Sequence, residues 1–194
     1  MKKRVFIIHG WDGYPEEGWF PWLKKELEKR DFKVFVPSMP NSSKPDINKW
    51  VDFIREQVRI PDKETFFVGH SIGCQASLRY LESLNVDSKV GGAVFVAGWF
   101  SLTSKATPTN EEKRIAKPWI ETPINFEKVK KISKNMIAIS SNNDPYVPLS
   151  NVEIFKNKLN AKIIIEKEKG HFSGEEGITK LPIVLNSLLG MIQK

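Results

Sequence analysis

Cysteine is nearly missing from this chain: Cys74 is the only one in 194 residues. A lone thiol excludes an internal disulfide and a cysteine-rich metal site, and it fits a reducing compartment. Buried in a helix, it reads as a small apolar residue. Histidine is almost as scarce, with three in the whole chain, so any histidine chemistry can be traced by elimination. Long hydrophobic runs are also lacking. No stretch nears the roughly 20 apolar residues of a membrane span. The basic start, Lys2-Lys3-Arg4, leads into only Val5-Phe6-Ile7-Ile8 before polar residues return, too short for the core of a signal peptide. No internal repeat or low-complexity tract appears. The expectation is a cytoplasmic protein without a membrane partner.

What is present suits one globular domain spanning 1–194. A chain of this size buries roughly 70% of its unfolded surface, so its core needs no staples. The formal charge is +7, which raises nucleic acid as a partner. Its lysines mostly interleave with glutamates, as in Lys24-Lys25-Glu26-Leu27-Glu28-Lys29-Arg30. That pattern marks a solvated helix face, and no nucleic-acid motif accompanies it.

Six short apolar runs read as strands: 5–8, 34–36, 65–68, 93–97, 136–140 and 162–165. They are unbroken rather than alternating, as in strands covered on both faces of a parallel sheet. Helical spacing of apolar residues separates them over 19–30, 46–58, 72–84, 149–159 and 175–192. Pro148 is expected in the first turn of the fourth of these helices. The alternation predicts a three-layer α/β/α fold with a mainly parallel six-stranded sheet, and the expected strand order is 2-1-3-4-5-6. Residues 98–125 form the longest stretch without a clear period. They are expected to be a short lid-like insertion or pocket wall.

Gly69-His70-Ser71-Ile72-Gly73 sits between the third strand and the helix that follows it. A serine on such a turn projects its hydroxyl above the sheet, and the flanking glycines let strand and helix approach closely. To act as a nucleophile it needs a base and a group to orient that base. His70 is its neighbour and should point away. His9 precedes it at the end of the first strand, where it is expected to brace a loop. His171 alone follows at a distance, just past the last strand. Among the acids between them, Asp144 alone combines the end of a strand with a loop setting. Two backbone donors would complete the chemistry. One is the N–H of Ile72, after the serine. The other lies in the loop His9-Gly10-Trp11-Asp12-Gly13, across the crevice where a sheet of this order reverses direction.

Together these residues resemble the small serine hydrolases of the α/β-hydrolase fold, of the retinoblastoma-binding-protein-nine type and its bacterial relatives. The likeness covers nearly the whole length. It rests on His9-Gly10-Trp11, the Ser71 elbow, Asn143-Asp144-Pro145-Tyr146-Val147-Pro148 and Gly170-His171-Phe172. It implies a minimal α/β-hydrolase sheet without the two leading strands of larger relatives. It also implies a Ser71–Asp144–His171 triad, no cofactor and no metal. Residues 9–13 differ from the glycine-triplet loop of many lipases. Trp11 is preferred over Asp12 as the second oxyanion donor, because a carboxylate aimed at an oxyanion would oppose catalysis. Asp12 is expected to face its own loop amides.

The expected reaction is hydrolysis of small carboxylic esters through an acyl-serine, with amides and thioesters as the other candidate substrates. The alternative is a protein-interaction module on a hydrolase scaffold. Trp50 reads as core. Trp11, Trp99, Phe100, Tyr146 and Phe172 are expected to wall an aromatic substrate pocket, although core packing would serve tryptophans equally well.

Overall fold

A computed structural model describes residues 2–192. Six strands form one sheet: β1 (Arg4–Ile8), β2 (Lys33–Phe35), β3 (Thr65–His70), β4 (Gly92–Val96), β5 (Met136–Ser141) and β6 (Lys162–Glu166). Their order is β2-β1-β3-β4-β5-β6, and every pairing is parallel. Seven helices flank them: α1 (Phe20–Glu28), α2 (Ile47–Val58), α3 (Ile72–Ser83), α4 (Asn110–Glu121), α5 (Phe126–Ile132), α6 (Asn151–Leu159) and α7 (Pro182–Ile192).

The strands serve two cores by turns, because side chains alternate across a sheet. Phe6, Ile8, Phe67, Ala93, Phe95 and Ala138 pack with α2, α3, α5 and α6. Val5, Ile7, Phe66, Val68, Val94 and Val96 pack with α1 and α7. That is why β1, β3 and β4 read as unbroken apolar runs. β6 reads the same way but forms an edge, and its Ile165 is exposed.

Residues 98–125 contain a helix that the apolar period did not reveal. Its start is written in the sequence all the same. The Thr109 hydroxyl accepts from the Glu112 N–H, and the Glu112 carboxylate accepts from the Thr109 N–H, a reciprocal cap. Pro118 inside α4 and a single buried face, Ala116 and Trp119, hide the rest. Trp119 packs edge-on to Trp50 and donates through Nε1 to the Pro45 carbonyl. Buried Arg79 of α3 donates to the carbonyls of Trp119 and Thr122. The segment is therefore docked on the body of the protein. The short helix α5, capped by the Asn125 side chain, was likewise not expected.

Two further boundaries differ from the sequence reading. α7 begins at Pro182, not at 175, because 174–177 is a turn and 178–181 is irregular. α6 begins at Asn151, beyond Pro148, whose carbonyl accepts from both the N–H and the side-chain amide of Asn151. No helix among the described residues is long and apolar enough to cross a membrane.

Candidate active site

Ser71 follows the last residue of β3 and is the N-cap of α3, with φ 54° and ψ −123°. Few residues with a side chain hold such a backbone, and the surroundings must enforce it. Here they do. A Cβ on Gly73 would lie 2.3 Å from the Ile8 carbonyl oxygen, and one on Gly69 would lie 2.7 Å from the Cys74 main chain. The start of α3 is thus pressed against the ends of β1 and β3, and only glycine fits at either contact. The Ser71 N–H is tied to the Val96 carbonyl, while its hydroxyl does not cap α3.

His171 and Asp144 meet directly. Nδ1 of His171 lies 2.8 Å from Oδ2 of Asp144. The other Asp144 oxygen accepts from the N–H groups of Tyr146 and Val147, at 2.9 and 3.0 Å. The carboxylate is almost fully buried and the imidazole mostly so. With Nδ1–H donating to Asp144, Nε2 is left as the basic nitrogen. Tyr146 stands edge-on to the imidazole, ring centroids 5.3 Å apart.

Ser71 and His171 open into one cleft of about 660 Å³. Gly10, Trp11, Trp99, Leu102, Ala106 and Tyr146 also line it. Among the described residues no hydrogen bond joins the serine hydroxyl to the imidazole. Such bonds are often loose without substrate and tighten in the reacting complex. A depression of about 740 Å³ at the opposite edge of the sheet is larger. It is lined by Lys2, Lys3, Arg30, Asp31, Phe32, Leu189 and Ile192 and has no nucleophile beside a base.

The main-chain donors divide clearly. Ile72 is the first residue of α3, where N–H groups have no intrahelical acceptor. In the first loop the Asp12 N–H donates to the Ser42 carbonyl and the Gly13 N–H to the Gly10 carbonyl. The Trp11 N–H has no acceptor among the described residues. The Asp12 carboxylate, expected on its own loop amides, accepts from none of them and borders the cleft instead.

The aromatic wall is smaller than expected. Trp11, Trp99 and Tyr146 line the cleft, but Phe100 and Phe172 do not. Phe100 packs on Phe126 and Phe155. Phe172 has φ 59°, which turns its side chain away from that of His171 into the core against α1 and α7. Trp19 and Trp119 are core, as is Trp50.

Several residues hold the site through contacts that the sequence alone does not show. His70 points to the α1 side, between Trp19 and Phe20, and its Nε2 lies 2.8 Å from the His171 carbonyl oxygen. Nε2–H donates there, so Nδ1 bears the lone pair. Burial, with His171 nearby, lowers the His70 pKa to about 3 and keeps the ring neutral. Glu176 accepts from the N–H groups of His171 and Ser173. Asn143 accepts from the Gly170 N–H and Asn142 from the Glu168 N–H, binding the His171 loop to the Asp144 loop. Asn151 holds the N–H groups of Phe100 and Ser101. His9 braces the first loop as expected. It is buried, its Nδ1–H donates to the Gly10 carbonyl, and its Nε2 accepts from the Met39 N–H. Burial lowers its pKa as well. Cys74 is buried and its thiol pKa is pushed up, as befits an inert packing residue.

A parallel sheet of this order, with a strained serine on the turn after β3 and a histidine–carboxylate pair beside it, defines an α/β hydrolase. The sequence profile of the serine hydrolases matches residues 5–189, and the chain belongs to that family. It is 31% identical to YdeN of Bacillus subtilis over 194 residues, covering 100% of this chain and 98% of that one. The crystal structure of the ydeN gene product matches with a TM-score of 0.91, at 30% identity and with both chains covered in full. Serine hydrolase RBBP9 of Rattus norvegicus is 26% identical over 160 residues, or 82% of this chain and 80% of its own. A structure reported among carboxylesterases of Nitrososphaera gargenis shares the fold, with a TM-score of 0.71 at 14% identity, covering 99% of this chain and 90% of that one.

Proposed function

We propose that the protein hydrolyses small carboxylic esters through an acyl-serine intermediate. The observation that carries this reading is one cleft holding both the strained Ser71 and the His171–Asp144 pair. Ser71 attacks the carbonyl while Nε2 of His171 takes its proton. The N–H groups of Ile72 and Trp11 receive the oxyanion; the unengaged Trp11 amide favours it over Asp12. His171 then returns the proton to the leaving group. Asp144 holds the imidazole in the required tautomer and stabilises its charged form. Water activated by His171 releases the acid. None of these steps calls on a cofactor or metal. Trp11, Trp99 and Tyr146 offer the substrate an apolar wall, and Leu102 and Ala106 of the 98–125 segment extend it.

Labelling with a fluorophosphonate tests the nucleophile. Rapid labelling of the folded protein, lost in Ser71→Ala, is the expected result. The same substitution lowers kcat toward p-nitrophenyl acetate by on the order of 10⁴–10⁶. An undiminished rate rejects Ser71. Folded protein that neither labels nor turns over would instead be an interaction module on this scaffold.

A further inference from the structure

The chain is basic overall, with a formal charge of +7, yet the cleft is acidic. Five carboxylates line it: Asp12, Glu17, Glu112, Glu175 and Glu176. Among the described residues no lysine or arginine does. None of the five has an ion-pair partner among the described residues. Glu112 and Glu176 are engaged by uncharged donors, which leaves their charge uncompensated. The opposite edge of the sheet is the reverse. There Lys3, Lys63, Lys89, Lys131 and Lys134 surround a depression in which Glu64 is the only acid.

We infer that this serine hydrolase selects substrates with a positive charge on the leaving group, such as an ester of an amino alcohol or a quaternary ammonium alcohol. The inference rests on the esterase reading above. The carboxylates do not define the site, which the serine and its histidine already mark. They fix the sign of what enters. Three of them, Glu17, Glu175 and Glu176, fix which half of the substrate bears the charge. Glu176 holds the His171 main chain, and Glu17 interacts electrostatically with both His171 and Glu175. His171 delivers the proton to the leaving group, so acids grouped about it flank that half.

Glu17 is half-buried, and burial raises its pKa ahead of the opposing pull of His171 and the push of Glu175. A cation beside it would relieve that cost. Two exposed aromatic residues, Tyr14 and Tyr146, line the same cleft, and aromatic rings attract cations. A metal ion is the poorer occupant. No three acidic, histidine or cysteine side chains among the described residues converge to hold one.

The test compares acetylcholine with its uncharged isostere, 3,3-dimethylbutyl acetate, and with an anionic ester, 4-acetoxybutyrate, whose charge likewise sits on the leaving group. The expected order of kcat/KM is cationic, then neutral, then anionic, with a cationic-to-neutral ratio of about tenfold or more at low salt. The ratio shrinks as salt is added. It also shrinks in Glu17→Gln/Glu175→Gln, which removes two charges and keeps the shapes. A ratio of one or less, in enzyme that turns over the neutral ester and labels with fluorophosphonate, overturns the charge preference and leaves the hydrolase standing. A ratio unchanged by both salt and the double substitution assigns the preference to shape and also overturns it. Enzyme that hydrolyses no ester and takes no label overturns both readings.

Discussion

The Ser71 elbow is held by main chain against main chain, whereas the loop carrying His171 hangs on side chains. At the elbow, β1, β3 and the first turn of α3 touch so closely that Gly69 and Gly73 admit no Cβ. Around His171 the backbone N–H groups are held by Glu176, Asn143, Asn142 and the Ser141 hydroxyl, and the His171 carbonyl by His70. The first arrangement leaves a compact pattern in the sequence, because neighbouring residues make it. The second scatters its parts over some hundred positions. It also confers a different mechanical character. An elbow fixed by backbone packing should fail all at once, and a loop held by separate hydrogen bonds should loosen by degrees.

Asp144→Asn makes the largest break in the side-chain half. Asp144 accepts three hydrogen bonds, one of them from His171, and in the proposed mechanism it fixes the tautomer of that ring. An asparagine can turn its NH₂ toward Nδ1 and stabilise the wrong tautomer. The expected loss in kcat is on the order of 10⁴, with fluorophosphonate labelling slowed to match. A near-normal rate would remove Asp144 from the orienting role.

Gly73→Ala should break the backbone half. The added methyl would meet the Ile8 and His9 carbonyl oxygens at 2.3 and 2.6 Å, and neither belongs to a flexible group. Overpacking of this kind costs about 1–3 kcal/mol and sometimes more. The expected result is a lower urea midpoint with activity and stability lost together. An alanine variant as stable and active as the parent would show that the elbow is not fixed by this contact.

How legible each half was follows from the same contrast. Ser71 could be read because strand, glycines and helix adjoin. That Asp144 and His171 would meet could be read because parallel strands bring their carboxyl ends to one edge, and few acids and histidines lie there. The parallel, doubly covered sheet followed from the alternation of apolar runs with helical spacing, whereas alternation alone does not fix the strand order. The side chain of Phe172 could not be placed from sequence, since a residue next to His171 may point either way and its positive φ decided the matter. Phe100 was misjudged for a similar reason. It leaves β4 toward α5 and α6 rather than toward the crevice. α4 carried a visible cap in Thr109 and Glu112 but only two buried residues, too few for an apolar period to stand out. Nothing in the sequence marks Glu176, because only the folded loop brings it back onto the His171 N–H.

His70 belongs to both halves and titrates in a way that can be measured. It lies at the end of β3, yet it serves the His171 loop. Its folded pKa, about 3, is below the ordinary histidine value of 6.5. The neutral ring is therefore the one the fold favours. Its contribution to stability is complete above pH 6.5 and is lost as pH falls toward 3, because the unfolded chain takes up a proton that the native state refuses. In that window it adds up to about 1.4 kcal/mol per pH unit to the slope of unfolding free energy. His70→Gln keeps a donor near the His171 carbonyl and removes the titration. The expected outcome is a flatter acid limb in urea titrations run from pH 7 to pH 4. An unchanged slope would mean that His70 is protonated in the native state.

Glu176→Gln should give the smallest effect and the sharpest view of the His171 loop. Glutamine keeps one oxygen for the His171 and Ser173 amides but loses the charge and the second acceptor. Such a change weakens the hold by about 0.5–1.5 kcal/mol, so kcat should fall by about tenfold at most. The global urea midpoint should barely move, because the loop lies at the rim and the elbow does not depend on it. Exchange of the His171 and Ser173 amides with deuterium should speed up, while that of the β3 amides stays slow. If β3 exchange accelerates as much as the loop's, the two halves are one cooperative unit and the contrast between them fails. If only the loop responds, its side-chain anchors set how firmly His171 is presented to a Ser71 that is already in place.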